Sequence, residues 1–75
     1  MANASVYRWR KATDINREYA LFELLDGDTP VLDVGFTDDG VLEVTFNHCI
    51  GGKMMEWDHL RALLDEGKGL TEQDR

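Results

Sequence analysis

From Glu18 to Asn47 the chain reads EYALFELLDGDTPVLDVGFTDDGVLEVTFN, and the period of this stretch decides the fold. Three runs alternate apolar and polar: Tyr19-Ala20-Leu21-Phe22-Glu23-Leu24, Val31-Leu32-Asp33-Val34-Gly35-Phe36 and Val41-Leu42-Glu43-Val44-Thr45-Phe46. Strict period-two alternation marks half-buried antiparallel strands rather than helix. Asp26-Gly27-Asp28-Thr29-Pro30 and Asp38-Asp39-Gly40 separate the runs with turn chemistry. Gly40 supplies the positive φ that a three-residue hairpin loop needs at its last position. Pro30 suits the start of a strand, where no ladder donor is lost. The stretch predicts two hairpins sharing a middle strand.

Register follows from keeping the apolar sets together, because a one-residue slip turns every side chain over. Pairing Thr37 with Val41 sets Phe36 opposite Leu42 and Val34 opposite Val44, and pairing Leu24 with Leu32 sets Phe22 opposite Val34. Ala20, Phe22, Leu24, Leu32, Val34, Phe36, Leu42, Val44 and Phe46 then form the expected core face. On the other face Glu23 lies opposite Asp33, Asp33 opposite Thr45, and Glu43 opposite Gly35. Like charges directly opposite one another on a sheet cost roughly 0.2–1 kcal/mol. Three carboxylates on one face are either a solvated surface or a patch held for a basic partner.

Outside this stretch the signals are weaker. Val6 to Ala12 alternates, with Tyr7 and Trp9 on one side and Arg8 and Arg10 on the other. It reads as an edge strand guarded by its arginines, or as a basic arm lying on the protein's own acidic face. Thr13 to Arg17 is the turn into the hairpins, and Asn47 to Lys53, with Gly51-Gly52, is a loop. Met54 and Met55 precede a helix expected from Asp58, its N-cap, to Glu66. Trp57, Leu60, Leu63 and Leu64 form the apolar stripe, Gly67 the stop, and Gly69 to Arg75 a polar tail. A helix of about two to three turns is unstable alone and needs the sheet. The expected fold is α+β: an antiparallel meander of three to four strands with one C-terminal helix on one face. Residues 1–5 and 70–75 are expected to be flexible ends of a single domain.

At 75 residues the chain has room for one small core. Eight basic and fifteen acidic residues give −7, distributed unevenly. Residues 1–17 carry a local +3 and the remainder −10. An acidic body repels nucleic-acid phosphates and anionic lipid and attracts basic protein surfaces. The single cysteine, Cys49, allows no internal disulfide, which fits a reducing compartment. No apolar run approaches the roughly 20 residues of a membrane span, and the N-terminus has no secretory pattern. The cytoplasm is the expected location.

Catalytic patterns are not found. His48 and Cys49 are adjacent and point apart in extended chain, whereas a thiol–imidazole pair must converge. With His59 they make three ligands, short of the four of a structural zinc site. Asp26-Gly27-Asp28 opens like a calcium loop, but Pro30 occupies the next ligand position. Gly51-Gly52-Lys53 lacks the rest of a phosphate loop. The sequence reads as a non-enzyme without cofactor or metal, and as a protein-binding module. Glu23, Asp33 and Glu43, with Asp26, Asp28, Asp38 and Asp39 in the turns, are the expected contacts to a basic protein.

The runs Val31-Leu32-Asp33-Val34-Gly35-Phe36 and Asp38-Asp39-Gly40-Val41-Leu42-Glu43-Val44, with Glu56-Trp57 and Leu63-Leu64-Asp65-Glu66-Gly67, give the chain a resemblance to small acidic bacterial immunity proteins. These are encoded beside secreted toxins, often nucleases, and protect the producing cell by binding the toxin. The likeness is one of size, charge and layout. It implies a toxin partner and transfers no residue roles. Two alternatives come from the residues themselves. One is a structural or self-associating protein whose sheet edge or helix flank makes a homodimer, favoured if Leu21, Leu25, Val31 and Val41 make an apolar patch on the nominally polar face. The other is an inhibitor whose carboxylates mimic nucleic acid.

Overall fold

The computed structural model describes residues 6–75; the expectation for residues 1–5 lies outside them. Four strands, β1 (Tyr7–Ala12), β2 (Leu21–Asp26), β3 (Thr29–Phe36) and β4 (Leu42–Phe46), form one antiparallel sheet in the order β1-β2-β3-β4. A 3₁₀ turn (His48–Ile50) leads to one helix, α1 (Trp57–Asp74), packed on β2 and β3. The α+β meander expected from the alternation is what forms. The first alternating segment takes its place as an edge strand beside β2.

The predicted register holds. Phe22 pairs with Val34, Glu23 with Asp33, Phe36 with Leu42, Val34 with Val44 and Asp33 with Thr45. In the loop before β4, Thr37 N–H donates to the Val41 carbonyl at 2.8 Å and Gly40 has φ +84°. The first hairpin turns more tightly than its composition suggested. Asp26 pairs with Thr29 around Gly27-Asp28, and Gly27 has φ +61°. Glycine in the first central position is the demand of a two-residue loop of the II′ kind. β3 thus begins at Thr29 rather than Val31.

A bulge follows at once. Leu24 pairs with Leu32 but Leu25 with Pro30, so Val31 is an extra residue in β3. Proline, which has no ladder donor, sits where the pairing is already interrupted. The bulge brings both Val31 and Leu32 into the cluster beneath the helix, with Leu24, Val34 and Leu63. Leu25 and Val31 are 1% and 2% exposed, so the apolar patch conjectured on the polar face does not exist. Period-two counting assigned Val31 to the wrong face because it cannot see a bulge.

The helix is longer than its sequence signals. Asp58 lies in its first turn and the extended Glu56 is the N-cap, without a capping side-chain bond. Gly67 is no stop. It is buried at mid-helix against the Trp9 ring, where a Cβ would lie 2.6 Å from two ring carbons. The tail expected beyond it stays helical to Asp74 because Leu63, Gly67 and Thr71 keep one buried stripe. Thr71, itself buried, donates its hydroxyl to the Lys68 carbonyl at 2.7 Å. The last turn is tied down twice. Asp74 accepts from Lys11 Nζ at 2.7 Å, and the Arg75 guanidinium lies 4.3 Å from the Phe36 ring centre. Packing and these tethers offset the roughly 1 kcal/mol that each interior glycine costs a helix.

The expected core face fails at one edge. Phe22, Leu24, Leu32, Val34 and Phe36 are buried, but Val44 is 40% and Phe46 63% exposed. Alternation turned both toward the helix side correctly. The helix does not reach them.

Candidate functional site

The sheet face away from α1 carries the predicted carboxylates, and β1 adds to it what the sequence left open. The ladders align Arg10, Glu23, Asp33 and Thr45 in one row across the four strands. Arg10 and Glu23 are in direct ion-pair contact. Arg8, one pair along, lies 3.6 Å from Asp28 in the first hairpin turn. The basic segment is therefore both a strand and a counterion for the acidic face.

A third base arrives from the loop before β2. Arg17 donates to the Phe36 carbonyl at 2.9 Å and lies against Gly35, with Leu21 packed over the same glycine. Its Nε is one of two buried side-chain nitrogens without a hydrogen-bond partner among the described residues; the other is Trp9 Nε1. Asp33, half-buried between these groups, has its pKa raised from the ordinary 3.8. Burial is the larger cause and the Glu23 carboxylate the next, while Arg17 pulls the other way. Glu43 is exposed and forms no salt bridge among the described residues.

The seven predicted carboxylates do not share one surface. Glu23, Asp33 and Glu43 share the open face. Asp28 lies at the turn that begins β3, and Asp38 and Asp39 at the turn that ends it, roughly 25 Å away at about 3.4 Å per strand residue. Asp26 bonds Lys53 Nζ at 2.7 Å, and Lys53 in turn lies 5.2 Å from the Tyr7 ring centre. Lys53 has its pKa raised, first by that bond to Asp26 and then by Tyr7. Asp38 accepts the Glu18 N–H at 3.0 Å and so ties the β3–β4 loop to the loop before β2. What remains unbalanced on the open face is its β3–β4 half, Asp33 and Glu43. Arg10 and Arg17 were not among the expected site residues. Pairing Arg10 with Glu23 was within reach of the alternation once β1 was a strand; Arg17, in an irregular loop, gave no periodic signal.

The opposite side carries a second feature. Between β4 and α1 runs an apolar groove, with one depression of about 230 Å³ lined by Phe46, Ile50, Lys53, Met55 and Leu60. Another of about 200 Å³ lies along the helix flank at Trp57, Leu60, Arg61, Leu64 and Asp65. Trp57 is 78% exposed.

His48, Cys49 and His59 do not converge into a metal site. Cys49 is exposed in the 3₁₀ turn, its N–H held by Asn47, while the His59 ring meets Tyr7 edge-on at 5.3 Å. Among the described residues no three His, Cys, Asp or Glu side chains are grouped to hold an ion. Nor is any helix among them long and apolar enough to cross a membrane. No protein-family model matches the chain, and searches of curated proteins and of solved structures return no match.

Proposed function

We propose that this chain is a protein-binding module that receives a basic protein on the open sheet face, centred on Asp33 and Glu43. The observation that carries this reading is the lopsided charge of that face. Its arginines gather toward β1 and the β2 entry loop, and the carboxylates of the β3–β4 half are left in excess. Asp33 is held beside Glu23 although burial and the like charge both oppose its ionised form. A rigid sheet fixes these groups without the ordering cost a loop would incur, and the surrounding −7 speeds the approach of a cationic surface. Occupying the cationic cleft of a toxin is one role such a face fits, in keeping with the resemblance to immunity proteins.

The test is capture from lysate of the source cell on immobilised wild-type protein and on Asp33→Asn/Glu43→Gln, at low and moderate salt. A basic protein retained by the wild type, lost from the variant and weakened by salt is the expected result. Equal capture by both proteins moves the interface off this face. Circular dichroism of the variant guards against a trivial loss of fold.

A further inference from the structure

β4 has an open edge whose polar groups and apolar side chains belong to the same residues. Two hydrogen bonds bracket its ladder with β3: Thr37 N–H to the Val41 carbonyl and Asn47 N–H to the Val31 carbonyl, both 2.8 Å. Antiparallel ladders alternate, so Glu43 and Thr45 also turn their N–H and C=O groups toward β3. Those of Leu42, Val44 and Phe46 point the other way, to the edge of the sheet. These three residues are also the ones with side chains on the helix side, where Phe46 lines the groove and Val44 is 40% exposed.

We propose that two copies of this chain pair antiparallel through β4, about a twofold axis at Val44, doubling the sheet. The axis sets Leu42 opposite Phe46 of the second copy, and Val44 opposite its own equivalent. All of these residues present outward polar groups, so the register satisfies the ladder. On the open face the same register sets Glu43 opposite Thr45 of the second copy, a carboxylate facing a hydroxyl rather than a like charge. An isologous contact must be self-complementary in this way.

Charge selects a second copy over a basic protein as the occupant. On a chain of −7, the groove carries no excess of acid: Lys53 at its border is already paired with Asp26, and Arg61 stands with Asp65. Here two acidic molecules meet without opposing carboxylates, and a cationic partner finds little to pair with. The other edge cannot serve, because β1 self-pairing would crowd Arg8, Arg10 and Lys11. The area suffices. Phe46 and Trp57, 63% and 78% exposed, offer roughly 300 Å² per copy by themselves. With Val44, Leu60, Leu64 and the strand backbone added from both copies, the contact approaches the roughly 1,200 Å² of the smaller stable interfaces.

The experiment is sedimentation of the full chain over a concentration series, with Val44→Lys, Thr45→Lys and Thr45→Glu alongside. The wild type is expected to form a dimer. Val44→Lys, which sets two ammonium groups against each other on the axis, should weaken it on the order of thirtyfold or more, the effect of losing a central hot spot. Thr45→Lys, facing Glu43 of the second copy, should tighten the dimer and Thr45→Glu loosen it, each roughly threefold to tenfold because the pair occurs twice. If Val44→Lys fails to fold by circular dichroism, the opposite signs of the two Thr45 variants decide. A wild type that stays monomeric into the millimolar range overturns the proposal and leaves the edge to a strand of a different protein. A dimer indifferent to a folded Val44→Lys, or to both Thr45 changes, overturns this seam.

Discussion

Trp9 on β1 and Phe46 on β4 end the same row of the sheet, Trp9–Leu24–Leu32–Phe46, and both face the helix side. Their fates differ. Trp9 lies under Gly67 of the helix, and Phe46 is left 63% exposed. The difference follows from width. A helix with its side chains is roughly 10 Å across, whereas four strands at about 4.8 Å spacing are wider. One helix cannot cover the whole face, so it must choose an edge. Gly67 lets it settle against Trp9, and the Lys11–Asp74 pair holds its end on the β1 side. The closed edge carries the basic, ion-paired strand, and the open edge carries Leu42, Val44 and Phe46.

The largest expected effect is on the closed edge. Trp9→Ala removes a ring packed between helix and sheet and should destabilise the protein by about 2–4 kcal/mol, below the range for a fully buried tryptophan because part of the ring is exposed. Urea unfolding measures it. A loss under 1 kcal/mol would mean that the helix does not depend on this edge.

Gly67 and Gly69 sharpen the point, because the same substitution should have opposite signs two residues apart. Alanine at either position gains up to about 1 kcal/mol of helix propensity. At Gly67 the added Cβ meets the stiff Trp9 ring at 2.6 Å, and relieving that overlap costs about 1–3 kcal/mol, so Gly67→Ala should be net destabilising by about 1–2 kcal/mol. A Cβ added at Gly69 meets no packed neighbour within 4 Å, so Gly69→Ala should raise stability by about 0.5–1 kcal/mol. Equal effects at the two sites would remove Gly67 from the helix–strand contact.

These glycines also show what a sequence conceals. The strands and register were legible because alternation and turn residues act locally and agree with one another. Gly67 after Asp65-Glu66 reads as a helix stop, and only Trp9, fifty-eight positions earlier, reveals it as a place of close approach. Val44 and Phe46 mark a limit of another sort. Alternation reports which face a side chain takes, not whether anything covers that face. On the acidic side, Glu23 opposite Asp33 could be read from register alone. Arg17, which moderates Asp33, comes from an aperiodic loop.

Asp33 yields a smaller effect with a definite sign. Its pKa is raised in the folded protein, so between the ordinary 3.8 and the raised value the folded state binds more proton than the unfolded. This group's contribution to stability therefore falls as pH rises through that window, and mild acid is favourable to it. Asp33→Asn should remove that slope. It should also add about 0.2–1 kcal/mol at neutral pH by ending the like-charge contact with Glu23. Unfolding midpoints of both proteins across mildly acidic to neutral pH give the comparison. A midpoint lowered at neutral pH would instead make Asp33 a net structural partner of Arg17.

The smallest effect on the isolated chain belongs to Phe46, and it tests the contrast between the edges most directly. At high dilution Phe46→Ser should change unfolding by no more than about 0.5 kcal/mol, the range of ordinary surface substitutions, because most of the ring already faces solvent. If the open edge is closed by a second copy, the penalty must grow with protein concentration, since association stabilises the folded state by mass action. Trp9→Ala has no such dependence beyond that of the wild type, because its contact is made within one chain. Thermal midpoints of both variants over a hundredfold concentration range therefore separate a surface that serves folding from one that serves assembly. A Phe46→Ser penalty as large as that of Trp9→Ala at every concentration would make the two edges equivalent, and the groove part of the core.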